Sequence, residues 1–96
     1  MKVQVLEEAE QDLIEGFRFY EAQDAGLGDY FLDSLFSDID SLHLYAGIHP
    51  RRFGFHRLLS KRFPFAIYYR IAGKTVRICA VLDCRRNPAR IEERLK

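Results

Sequence analysis

Arginines dominate the second half of this chain, at intervals that strands would impose. Arg57, Arg70, Arg77, Arg85 and Arg86 are interleaved there with His56, Tyr68 and Asp83. Guanidinium groups make bidentate contacts with phosphate or carboxylate, and an aromatic ring among them can stack on a base. Together these are the ingredients of an anion-binding groove. Catalysis asks for more. Cleaving RNA by attack of its 2'-hydroxyl needs a group to take that proton, cations for the phosphorane charge, and an acid for the leaving oxygen. Arg57, Arg70 and Arg85 suit the second task, and His56 is the candidate base. The stretch "VLDCRRNP" at 81–88 offers only Asp83 and Cys84 where a proton donor is wanted. A carboxylate on a phosphate-binding face repels its substrate unless it pairs with an arginine such as Arg77 or Arg85. The plainer reading of the same residues is the solvated face of an antiparallel sheet, polar because water touches it.

No cofactor is expected, and no metal. Cys84 and the scattered His43, His49 and His56 have no recognised ligand spacing. Cys79 and Cys84 lie five apart on one predicted strand, so they leave on opposite faces and read as free thiols.

At 96 residues the chain is long enough for one domain over 1–96 and too short for two. Hydrophobic residues are 48% and charged residues 30%, which suits a soluble globular protein and argues against disorder. No run reaches the roughly 18–20 apolar residues of a membrane helix, and "MKVQVLEEAEQD" turns acidic where a signal peptide is apolar, so the expected location is the cytoplasm. The net charge of +1 hides an asymmetry. Residues 1–48 hold two bases against eleven acids, and residues 49–96 hold thirteen bases against three acids. A split of −9 and +10 points to an anionic partner for the second half, or else to attraction between the halves themselves.

The elements that position the basic residues follow from periodicity. "KVQVL" alternates as a short strand. From Glu7 to about Ala25, Ala9, Leu13, Phe17 and Tyr20 recur at helical spacing, with Glu8, Asp12, Glu15 and Glu21 on the polar remainder. "GLGD" at 26–29 turns the chain, and Phe31, Leu35, Ile39 and Leu42 stripe a second helix that ends before Gly47 and Pro50. "GFHRLLS", "FPFAIYYRI" and "KTVRICAVL" read as three antiparallel strands. Asn87 with Pro88 then starts a terminal helix, "ARIEERL". The predicted order is β-α-α-β-β-β-α, an α+β domain with a helical hairpin packed on one face of an antiparallel sheet.

A two-residue turn at Ala72-Gly73 predicts a hairpin-covered face of Phe65, Ile67, Tyr69, Val76, Ile78, Ala80 and Leu82. Tyr68, Arg70, Arg77, Asp83 and Arg85 then share the opposite face, with nothing left in the chain to cover it. A tight turn at Lys61-Arg62 pairs Arg57 with Ala66 and adds it to that face; a longer turn leaves its facing open. If Arg57 faces the groove, His56 faces the core.

As a whole the pattern resembles the RelE/ParE superfamily of bacterial type II toxins. It comprises an opening strand, an acidic hairpin, Pro50 after it, Arg57 in the next strand, "FPFAIYYR", and a last strand ending in "RRNP". The resemblance spans essentially the full chain and rests on no single diagnostic motif. It implies a toxin wrapped and neutralised by a cognate antitoxin in a hetero-oligomer. Members like ParE, including those described as plasmid stabilization proteins, poison DNA gyrase without being nucleases. Members like RelE cut messenger RNA in the ribosome, and Arg57, Arg70 and Arg85 match basic positions of that branch. The nuclease branch often places a histidine or tyrosine near the end of the last strand, where this chain has Asp83, Cys84, Asn87 and Pro88. Its hairpin, roughly 40 residues from Glu7 to Ala46, is long in the ParE manner. The resemblance therefore implies a ParE-like, non-enzymatic growth inhibitor, with a RelE-like endonuclease or a toxin reduced to antitoxin binding as alternatives.

Overall fold

A computed structural model describes residues 1–96. The strands are β1 (Lys2–Val5), β2 (Arg51–Arg52), β3 (Phe55–Leu59), β4 (Phe65–Ala72) and β5 (Thr75–Asp83). The helices are α1 (Glu7–Gln23), α2 (Leu27–Asp40), α3 (Leu42–Tyr45) and α4 (Pro88–Arg94). One sheet runs in the order β1-β5-β4-β3-β2. The domain is α+β as predicted, with two small additions, α3 and β2. All neighbours are antiparallel except β1, which lies parallel to β5.

The helical hairpin forms for the reasons its sequence gives. Glu7, Glu8 and Glu10 fill the first turn of α1, where the positive end of the helix dipole favours carboxylates. At the corner Gly26 adopts φ 89°, a left-handed conformation open to glycine. The Glu21 carboxylate accepts from the main-chain N–H of Gly26 (3.0 Å) and of Gly28 (2.9 Å), fixing the turn. The two helices approach closely because Gly16 has no side chain: a Cβ there would lie 2.5 Å from Phe31 Cζ.

Below the hairpin Leu13, Phe31, Leu35, Ile39 and Leu42 pack on Leu58, Phe65, Ile67, Tyr69, Val76, Ile78 and Val81 of the sheet. Here the observed pairing departs from the predicted one. The loop is Gly73-Lys74, with Ala72 opposite Thr75 and Ile71 opposite Val76. Farther on Tyr69 faces Ile78 but Tyr68 faces Ala80, so Cys79 is the extra residue of a β-bulge. A bulge shifts side-chain alternation by one. Ala80 and Leu82, predicted under the hairpin, therefore point to the opposite face, and Val81 takes the hairpin side. The β3–β4 loop is also longer than two residues. Arg57 pairs with Tyr68, not Ala66, two positions along on the same face.

The second face is not open either. Ile91 and Leu95, in and just after α4, pack on Phe55, Ala66, Tyr68, Ala80 and Leu82. The Asn87 side chain accepts from Ala89 N–H at 2.9 Å and Pro88 opens the helix, as the sequence predicts. Arg94 then reaches Asp12 on α1 with both terminal nitrogens (2.8 and 2.9 Å). Asp12, read from the sequence as a surface acid, is 8% exposed and also accepts from Val81 N–H at 3.0 Å.

The close contact at Gly16 gives a stability prediction. Gly16→Ala improves helix propensity but drives a methyl into the Phe31 ring, and overpacking of this kind costs about 1–3 kcal/mol. Urea unfolding should show a lower midpoint with little change in slope; equal or higher stability would contradict this packing.

Candidate anion-binding surface

The exposed arginines cluster where β2, β3, β4 and β5 emerge from under α4. Arg57, Arg70 and Arg77 share the second face, and Arg70 lies directly opposite Arg77 across the β4–β5 ladder. Like charges placed opposite each other destabilise a sheet unless something else neutralises them. Arg70 sits over the Phe55 ring, 4.0 Å from its centroid, which holds the guanidinium flat. Arg52 lies 5.4 Å from the Phe53 centroid. Phe53 itself occupies φ 55°, followed by Gly54 at φ 83°, so the β2–β3 turn needs two left-handed residues in succession. For phenylalanine that conformation is strained by about 1 kcal/mol or more.

These cations have no anionic partner in the chain. The ion pairs involve only Arg85 with Asp83, and Arg94 with Asp12 and Glu8. Arg57 Nη2 reaches only the Cys84 sulfur at 3.8 Å, and its buried Nε has no acceptor at all. Beside it a cleft of about 430 Å³ is lined by His49, Pro50, Arg51, Arg52, Arg57, Leu58 and Leu59, with no carboxylate among them. A half-buried guanidinium facing such a space is suited to receive a phosphate or carboxylate from outside.

The other predicted groove residues lie elsewhere. Tyr68 is on the expected face but 2% exposed beneath α4, so its ring is not offered to a ligand in this conformation. Asp83 and Arg85 are carried to the hairpin side by the bulge. There Arg85 grips Asp83 through Nε (3.0 Å) and Nη2 (2.6 Å), and this pairing holds the Asp83 carboxyl below its ordinary range. Arg86 joins Asp12, Glu15 and Asp83 around a small cleft of about 170 Å³ on that side. Cys79 and Cys84 are free but do not leave on opposite faces; both pack at the margin of the second-face core. Burial pushes the Cys79 thiol up.

His56 faces the hairpin side, as strand alternation requires once Arg57 faces outward. Its ring stacks on Tyr69 (5.0 Å, 19°) and its Nδ1 bonds the His49 carbonyl at 2.9 Å. The Tyr69 hydroxyl accepts from Gly47 N–H at 2.9 Å and bonds His49 Nδ1. The hydroxyl oxygen can donate its proton to a neutral His49 Nδ1 or accept one from it, so the tautomer of His49 sets the direction of this bond. Burial and the neighbouring His56 lower the His49 pKa. His49 is thus the titratable group that lines the Arg57 cleft. Sequence reasoning passed over it because nothing local at position 49 reveals a partner twenty residues away.

No described protein family matches the chain by sequence profile, and no curated protein matches it. Its fold is similar to a solved chain of the chromosomal ParDE TA system from P. aeruginosa, with a TM-score of 0.72 at 20% identity. The match covers 84% of this chain and 92% of that one. The likeness is one of fold: both chains share an α+β architecture of this kind.

The His49 bond predicts a pH effect with a definite sign. Its folded pKa lies below the ordinary 6.5, so neutral His49 contributes stability above that value, which is lost as pH falls through 6.5 toward the lowered pKa. The melting temperature of the wild type should drop relative to His49→Gln between about pH 7.5 and 5.5. Parallel curves for the two proteins would refute the assignment.

Proposed function

We propose that the chain is the toxin of a type II toxin-antitoxin module, of the ParE kind, acting in the cytoplasm and neutralised by a cognate antitoxin. The observation that carries this reading is the set of unpaired arginines, Arg52, Arg57, Arg70 and Arg77, on one surface of a fold shared with a ParDE chain. An antitoxin segment bearing carboxylates satisfies them, and removing it frees the surface for a target. No helix is long and apolar enough to cross a membrane, which agrees with an intracellular target. The target we infer is DNA gyrase, bound without chemistry. In support, neither His56 nor Asp83 stands beside the arginines: one is stacked under the sheet and the other is held by Arg85.

A second reading has one observation in its favour. His49 lines the cleft that holds Arg57, and burial lowers its pKa, which favours the neutral form a general base needs. On this reading the protein is a ribosome-dependent mRNA endonuclease with His49 as base and Arg57 as phosphate ligand. Induced expression separates the two. Gyrase binding predicts filamentous cells and inhibited supercoiling with translation initially intact; cleavage predicts a prompt translation stop that His49→Gln and Arg57→Ala abolish. In either case Arg70→Ala should weaken the antitoxin complex by roughly tenfold or more, since a charge-assisted hydrogen bond is worth about 1.5–3 kcal/mol. Unchanged antitoxin affinity would remove the arginine surface from the interface.

A further inference from the structure

Away from Arg52, Arg57, Arg70 and Arg77, α2 and the β3–β4 loop enclose a cleft of about 420 Å³. From α2 come Asp33, Ser34, Ser37 and Asp38, and from the loop Lys61 and Arg62. Asp38 is 6% exposed, yet no hydrogen bond or ion pair reaches its carboxylate; only its main-chain carbonyl is used, by the Ser41 hydroxyl at 2.6 Å. The carboxylate oxygens still touch the solvent of the cleft, so the protein itself leaves this charge unpaired at the cleft wall. Its place in the helix makes matters worse. Asp38 stands in the last turn of α2, at the negative end of the helix dipole, where no basic residue compensates it.

The two nearby cations do not supply the missing charge. Arg62 donates to the Tyr30 hydroxyl at 3.1 Å and lies over that ring, 5.7 Å from its centroid. Lys61 lines the cleft but forms no ion pair with either aspartate. A metal is a poor occupant, because no three histidine, cysteine or carboxylate groups converge there. An ammonium is a good one. It has three donors and no acceptor, matching one carboxylate and two serine hydroxyls, and the cleft leaves room for the attached carbon chain.

We propose that this cleft binds an alkylammonium group, received by Asp38 with Ser34 and Ser37, while Asp33 adds negative potential. The group belongs either to a free amine or to a lysine side chain. Lys61 opposes an incoming cation, so neutralising it strengthens binding.

The test is an amide-resolved NMR titration of the whole protein with putrescine and, separately, with an end-capped lysine. The expected result is saturable shifts at Ser34, Ser37 and Asp38, lost in D38N and appearing at several-fold lower concentration in K61M. Tighter binding of putrescine assigns the site to free amines, and tighter binding of capped lysine to a protein side chain. Absence of saturable shifts with both probes overturns the proposal, as does binding that D38N retains. If D38N does not fold, K61M decides: weaker or unchanged binding in that variant means Lys61 does not oppose the ligand, and the site is not as described. These outcomes are independent of toxicity and of the arginine surface.

Discussion

The fold turns on the carboxylate of Asp12. Beyond Ile78 the edge of β5 has lost its neighbour, because β1 ends at Val5 and the last main-chain bond on that side is Leu6 N–H to Ile78 carbonyl. Asp12 takes over, accepting Val81 N–H with one oxygen, while Arg94 closes on both oxygens from the other side of the sheet. One side chain thus ties the first helix to the exposed stretch of the central strand and to the last helix. Burial pushes the Asp12 carboxyl up in pKa, with Arg94 as the main opposing influence, so the ion is tolerated only while the guanidinium stays. Removing one member of such a pair strands a buried charge, at a cost of about 3–5 kcal/mol. The pair contributes less to net stability than that figure suggests, since its desolvation offsets most of the attraction. What it supplies is a unique place for a seven-residue helix with little else to hold it.

That placement decides what the surface can do. Because α4 lies across Tyr68, Ala66, Ala80 and Leu82, the second face is an apolar core near its centre and a cationic rim outside it. The bulge at Cys79 makes the complementary division. By moving Asp83 and Arg85 to the hairpin side, it removes from the rim the one carboxylate that would repel an anion. The arginines that remain are arranged by short-range contacts with Phe53, Phe55 and Cys84, and none is neutralised.

Much of this was legible in the sequence, and the failures have identifiable causes. The hairpin stripe of Phe31, Leu35, Ile39 and Leu42 and the Asn87-Pro88 helix start were readable because each is a local pattern with a local cause. Alternation along β5 was readable up to Ile78 and wrong after it. A period of two carries no sign of an inserted residue, and Val81, Leu82 and Ala80 are apolar whichever way they face. The cover of the second face was missed because α4 contributes only Ile91 and the adjoining Leu95 to it. Asp12 was read as a surface acid for the same reason: its burial is created by Val81 and Arg94, far away in sequence. His49 escaped notice because its bond to Tyr69 is tertiary.

The charge split can now be weighed between its two explanations. If the acidic hairpin existed to neutralise the basic sheet, ion pairs should join the halves in number. Only Arg94 crosses, to Asp12 and to Glu8 at 3.9 Å, while Arg85 spends itself on a neighbour two residues away. The hairpin packs on the sheet through leucine, isoleucine and aromatic side chains, and apart from the buried Asp12 and Asp38 its acids lie at the surface. Exposed charges that form no ion pair are screened by salt over about 8–10 Å, so they do little to hold the halves together. The uncompensated arginines therefore raise the energy of the free protein, through mutual repulsion at Arg70 and Arg77 and through the orphaned Nε of Arg57. An anionic partner relieves both at once, so the cost carried by the free chain is recovered as affinity on binding.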